Sequence, residues 1–103
     1  MKLTTMYSKQ AFKNLSRAEI EKQIVREGFD PVLIHDHPGF YYSPHEHPET
    51  KLLVFLDGSM EVSVGEMSFE CQPGDKLIIP GNTTHSARVG PQGCLFYWSE
   101  KIM

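Results

Sequence analysis

The sequence is poor in the features that mark several common protein classes. Two cysteines, Cys71 and Cys94, are too few for a disulfide framework, and buried, reduced thiols are expected at both positions. No apolar run is longer than five residues, as in Leu52 to Leu56, whereas a helix that crosses a bilayer needs roughly 20. Met1 to Thr5 lack a signal-peptide core, so a soluble, cytoplasmic protein is expected, with no membrane partner. Positive charge is not in excess: ten Lys and Arg stand against thirteen Asp and Glu, a net charge of -3, which leaves no electrostatic footprint for nucleic acid. Repeats, linkers and low-complexity stretches are also missing.

What is present is the composition of a folded domain. Apolar residues make up 40% of the chain and charged ones 22%, which excludes a disordered tail, and 103 residues suffice for one core. The expected organisation is a single domain over residues 1–103, with a strand and a helix in 1–30 and a barrel in 31–99.

Near the N-terminus an extended piece, Leu3 to Tyr7, precedes one helix. Ser16 and Glu19 have the spacing of a capping box, Leu15 can staple onto Ile20, and Gly28 is placed to end the helix in the left-handed conformation. Ile20, Ile24 and Val25 supply its apolar stripe. From Pro31 onward short segments rich in Val, Ile, Phe and Tyr alternate with Pro and Gly turns, predicting strands over 32–37, 40–45, 51–56, 60–64, 67–71, 76–79, 85–89 and 94–99. Asp57-Gly58 and Gly90-Pro91-Gln92-Gly93 read as two of the separators. So many half-apolar strands in so short a chain imply a closed or doubled antiparallel sheet.

The candidate chemistry lies in the histidines. Residues two apart on a strand share a face, so His45 and His47 would present two imidazoles side by side, a ready pair of ligands for a divalent metal. His35 and His37 form a second such pair, without a third ligand at a recognisable distance; solvation at an edge strand is the expectation there. Tyr41, Tyr42, Phe55, Phe96, Tyr97 and Trp98 are candidate walls of a small-molecule pocket.

Gly39, His45, His47 and Gly58 resemble the first motif of the cupin superfamily, Gly-x5-His-x-His-x3-Glu-x6-Gly, and Gly74, Pro80 and His85 resemble the second, Gly-x5-Pro-x-Gly-x2-His-x3-Asn. The resemblance implies a double-stranded β-helix, or jelly roll, with a metal in the barrel mouth held by His45, His47 and His85. Three positions depart from the pattern: Lys51 stands at the glutamate, Asn82 at the second glycine and Val89 at the asparagine. An ammonium offers donors but no lone pair to a metal. Three readings of Lys51 follow. The three histidines hold a Zn, Fe, Ni, Mn or Cu ion without a carboxylate; or Glu49 supplies the carboxylate; or the site has no metal, and Lys51 with the histidines binds an anion. Two positive charges a few ångströms apart in a partly dry barrel repel by several kcal/mol in order of magnitude, unless one is neutralised or turned away. Glu46 and Glu49 are near enough in sequence to pair with Lys51 at the surface and turn it outward.

The resemblance thus implies a small cupin that uses a divalent transition metal in oxygenase- or isomerase-type chemistry on a small anionic substrate. Lys51 and Glu49 are the catalytic candidates, and Lys51, Tyr42, Phe55, Phe96 and Trp98 form the expected substrate pocket. The alternative is a non-catalytic module that binds or senses a sugar or carboxylate. A homodimer is expected from pairing of exposed outer strands.

Overall fold

The computed structural model describes residues 6–101, so Leu3 to Thr5 of the expected first strand lie outside the described residues. The helix starts where its side-chain chemistry dictates. The Ser16 hydroxyl accepts the Glu19 N–H at 3.2 Å and the Glu19 carboxylate accepts the Ser16 N–H at 3.0 Å, which closes the capping box of α1 (Arg17–Arg26). Gly28, at φ +93, takes the left-handed turn just beyond Glu27, the C-cap. Ile20 and Ile24 are buried but Val25 is exposed, so the apolar stripe is narrower than expected. The staple is also different. Leu15 is exposed, and Phe12 shares the cluster of Ile20, drawn there by its N–H bond to the Gly74 carbonyl (2.9 Å).

The strands are β1 (Met6–Ser8), β2 (Phe29–Asp36), β3 (Tyr41–His45), β4 (Lys51–Val64), β5 (Met67–Cys71), β6 (Lys76–Ile79) and β7 (His85–Lys101), all paired antiparallel. Their order is β1-β6-β4-β7-β2, with β3 also on β7 and β5 also on β4. Four expected strands are therefore two long ones. At Asp57-Gly58 and Gly90–Gly93 the chain bends without reversing, and β4 stays paired with β7 through register shifts at Phe55/Asp57 and Gly58/Met60. Gly58 sits at φ +75, and a Cβ there would overlap the Gly93 carbonyl, so only glycine allows the two bent strands to pass so closely.

This bending rolls the sheet. The first half of β4 lies between β6 and the end of β7, and its second half between β5 and the start of β7. The result is the double-stranded β-helix. Strand alternation then sorts residues into two apolar layers. Leu53 and Phe55 join Met60, Val62, Leu77 and Phe96 in the barrel interior, while Leu52 and Val54 join Phe12, Ile20, Ile24, Phe29 and Tyr97 under α1. Both cysteines are free and buried, as expected. Asp75, also buried, ties the N-terminal segment down by accepting from the Tyr7 hydroxyl at 2.6 Å and the Gln10 and Gln72 N–H groups at 2.8 Å.

Candidate metal centre

At the mouth of the barrel the end of β3 meets the start of β7, with His45 directly opposite His85 in the register. Cross-strand partners are close neighbours, and the two rings lie 4.4 Å apart between centroids. His47 is in the loop after β3, not on the strand. It nevertheless returns to 4.7 Å from His45 and 5.3 Å from His85. The return is enforced by the 80–84 loop: the Asn82 N–H donates to the His47 carbonyl (2.5 Å), the Gly81 N–H to Thr50 Oγ1 (3.2 Å), and Thr84 Oγ1 to Glu46 Oε2 (3.4 Å). Asn82 has φ +60, a conformation that asparagine tolerates better than most residues, which explains how it stands where the cupin pattern has glycine. Val89 is buried in the interior layer and is part of the core.

One ring nitrogen from each of the three histidines lies within 4.8 Å of the others. Their protonation is set by neighbours. His85 Nδ1 is 2.9 Å from the Thr83 carbonyl and His45 Nδ1 is 2.5 Å from the Ser43 carbonyl. A carbonyl only accepts, so Nδ1 of His85 and of His45 carries a hydrogen, which leaves Nε2 as the nitrogen of each ring that can offer a lone pair to a metal. Nε2 of His47 and Nε2 of His85 are buried with no hydrogen-bond partner. Buried polar atoms are rarely left in that state. Burial lowers the pKa of both rings from the usual 6.5, and the Lys51 charge and neighbouring imidazoles push the same way. Three convergent imidazoles, two of them with buried, partnerless Nε2 atoms and lowered pKa values, fit a divalent transition metal.

Beneath the histidines the interior is almost filled. A cavity of about 10 Å³, room for roughly one water, is lined by Tyr42, Leu53, Ile79, Ala87, Phe96 and Trp98, among others. A larger ligand therefore has to meet the histidines from the mouth. Of the expected pocket walls, Tyr42, Phe96 and Trp98 line this space. Phe55 is deeper, stacked on Phe96 at 6.0 Å; Tyr97 faces the layer under α1; and Tyr41 is exposed beside Arg88. The Tyr42 hydroxyl donates to Asp36 at 2.5 Å, and burial with that carboxylate raises its pKa, so the phenol stays protonated.

Lys51 is not turned outward. It is the first residue of β4, on the interior face, and its side chain is only 3% exposed. Its Nζ lies 2.5 Å from Glu100 Oε1, 3.8 Å from Glu49 Oε1 and 5.2 Å from the centre of the Trp98 ring. Trp98 in turn packs edge-on to His47 at 5.6 Å. The compensating carboxylate is thus chiefly Glu100, which sequence reasoning missed, because the predicted last strand stopped at Ser99. Extending the alternation of Phe96 and Trp98 by one step would have placed it on the same face. Neither Glu49 nor Glu46 joins the histidine cluster, and His35 and His37 are exposed, outside it among the described residues.

The family model described as the AraC-like ligand binding domain matches residues 29–100, from the start of β2 into the end of β7, with all three clustered histidines inside. The chain belongs to this family. The AraC-like domain is of the cupin type, and solved cupin structures share its fold. KdgF from a Halomonas species is similar with a TM-score of 0.63 at 20% identity, over 74% of this chain and 72% of that one. An RmlC-like cupin from Shewanella frigidimarina is similar at 0.66 and 20%, over 74% and 68%. The dimethylsulfoniopropionate lyase DddW of Ruegeria pomeroyi is 34% identical over 59 residues, 57% of this chain. The match spans 39% of that lyase's length. No described helix is long and apolar enough to cross a membrane.

Proposed function

We propose that this AraC-like domain binds a divalent transition metal through His45, His47 and His85 and acts with it on a small anionic substrate that enters from the barrel mouth. The observation that carries the reading is the pair of buried, partnerless Nε2 atoms on His47 and His85, within reach of the third imidazole. The donor set is three imidazole nitrogens, which suits Zn, Fe, Ni, Mn or Cu and leaves coordination positions open. When bound, such an ion supplies Lewis-acid or oxygen-activating chemistry. The protein's own part is to orient His85 and His45 through the Thr83 and Ser43 carbonyls and to admit ligand only from the mouth.

Oxygenase- or isomerase-type turnover is the proposed activity, and likeness to a lyase named for a propionate substrate supports a carboxylate ligand and adds elimination to the reactions worth testing. Elemental analysis of the protein and of His85→Ala tests the metal. Near-stoichiometric metal in the first and loss in the second is expected; equal content in both overturns the three-histidine site. Turnover that disappears on chelation would establish the enzyme.

The family's description as a ligand-binding domain favours a second reading, a sensing module without catalysis. Ligand affinity that survives metal removal, with no turnover of any carboxylate tested, would select it. A two-fold dimer is proposed as well, on the ground that β2 ends the sheet order and exposes Val32 and Leu33. Light scattering at micromolar concentration should give twice the chain mass, and a monomer would retire the proposal.

A further inference from the structure

Lys51 and Glu100 face each other across β4 and β7, and the two members of the pair are not alike. The Lys51 side chain is 3% exposed and the Glu100 side chain 55%. The ammonium is held in the wall at the mouth, with its stem inside and its head near the Trp98 ring, whereas the carboxylate that neutralises it is more than half exposed and reaches in from solvent. A buried ammonium needs an anionic partner, but nothing requires that the partner belong to the protein. Exchange of Glu100 for a ligand carboxylate keeps a close anionic contact on the ammonium, while a neutral ligand would leave it only the longer contact with Glu49 at 3.8 Å. The position is also the right one, since the Trp98 ring lies 5.2 Å from the Lys51 ammonium and packs edge-on against His47 at 5.6 Å.

We propose that Glu100 is an internal placeholder for the carboxylate of the ligand: an incoming small carboxylate takes the Lys51 ammonium from Glu100, so that Lys51 selects anionic ligands and Glu100 sets how tightly they are held. The inference rests on the reading that a small ligand enters at the histidine mouth, and it deepens that reading by assigning the ligand's charge to Lys51 and its competitor to Glu100. It does not require a metal.

The test is a titration of propionate, with propionamide as the neutral control, into the chelator-treated full chain and its Glu100→Gln, Lys51→Met and double variants. The chain's one tryptophan, Trp98, reports binding by fluorescence, because Lys51 Nζ lies 5.2 Å from its ring. Removing the competing charge should tighten propionate on the order of tenfold in Glu100→Gln, since charge-assisted bonds are the stronger kind. Lys51→Met should abolish propionate binding, the Glu100 change should add nothing in that background, and propionamide should not distinguish the proteins. Methionine fills the space of the lysine stem without a charge, so the variant should stay folded, as circular dichroism will verify. Equal propionate affinity in the parent and Glu100→Gln, or propionate binding retained by Lys51→Met, overturns the proposal. Metal content, measured separately, bears only on the three-histidine reading, so failure of one is distinguishable from failure of the other.

Discussion

The two faces of β4 lead to different kinds of layer. Toward α1, Leu52 and Val54 enter a layer with Phe12, Ile20, Ile24, Phe29 and Tyr97 in which the Tyr97 hydroxyl donates to Glu21 at 2.5 Å and the helix start is closed by its capping box, while the buried Ser99 hydroxyl, two residues from Tyr97 and opposite Leu52, stands alone without a partner among the described residues. Toward the interior, Leu53 and Phe55 pack just as tightly, yet at the mouth the same face ends in Lys51 beside histidines whose Nε2 atoms lack partners. A lone unpaired hydroxyl is a small cost that a packed layer can carry, whereas at the mouth two unpaired imidazole nitrogens converge with a third within 4.8 Å, the arrangement a shared ligand would need. The comparison separates a structural layer from a candidate functional rim within one strand.

Cutting into the first layer should have the largest effect. Ile24→Ala removes a fully buried side chain under α1 and should destabilise the protein by about 2–5 kcal/mol in urea unfolding, while the folded fraction keeps its metal content. Loss of metal from the folded protein would show that the layers are not independent. Ser16→Ala breaks the capping box of the same layer and should cost about 1 kcal/mol, again without any change at the mouth.

The rim should reveal itself through pH. His47 and His85 have pKa values below 6.5 in the folded state, so the unfolded chain binds protons more readily; the metal-free protein keeps their full contribution above 6.5 and loses it as pH falls through the lowered values. The urea midpoint of the metal-free protein should therefore fall between about pH 7.5 and about pH 5.5, and less so in His85→Ala. The carboxylates of Glu19 and Glu100, also lowered, act with the same sign but only below 4.5, outside that window. An unchanged midpoint would mean that the imidazoles are already solvated, and the contrast between the layers would fail.

Much of this was legible before any coordinates. The capping box, the limits of β5 and β6 and the buried thiols follow from spacing and composition, and the gathering of His45, His47 and His85 is what the resemblance to the cupin motifs implies. The two long strands were not, because a Gly-containing dipeptide that turns a hairpin in one context makes a bulge in another, and only pairing along the whole of β7 decides which. Leu15 was a reasonable staple until the Phe12 amide bonded to the distant Gly74 carbonyl.

What the chain alone determined is therefore what depends on neighbours a few residues away or on alternation along one strand, namely where the helix begins and which residues are apolar on which face, together with the three ligand candidates that the resemblance to the cupin motifs implies. What tertiary structure decided is the partner of each group whose partner is remote. Lys51 and Glu100 lie 49 residues apart, and no local rule brings them together. Only the side-by-side packing of the bent β4 and β7 does so, and that packing turns a cation beside a candidate metal site from a contradiction into a neutral pair at its rim.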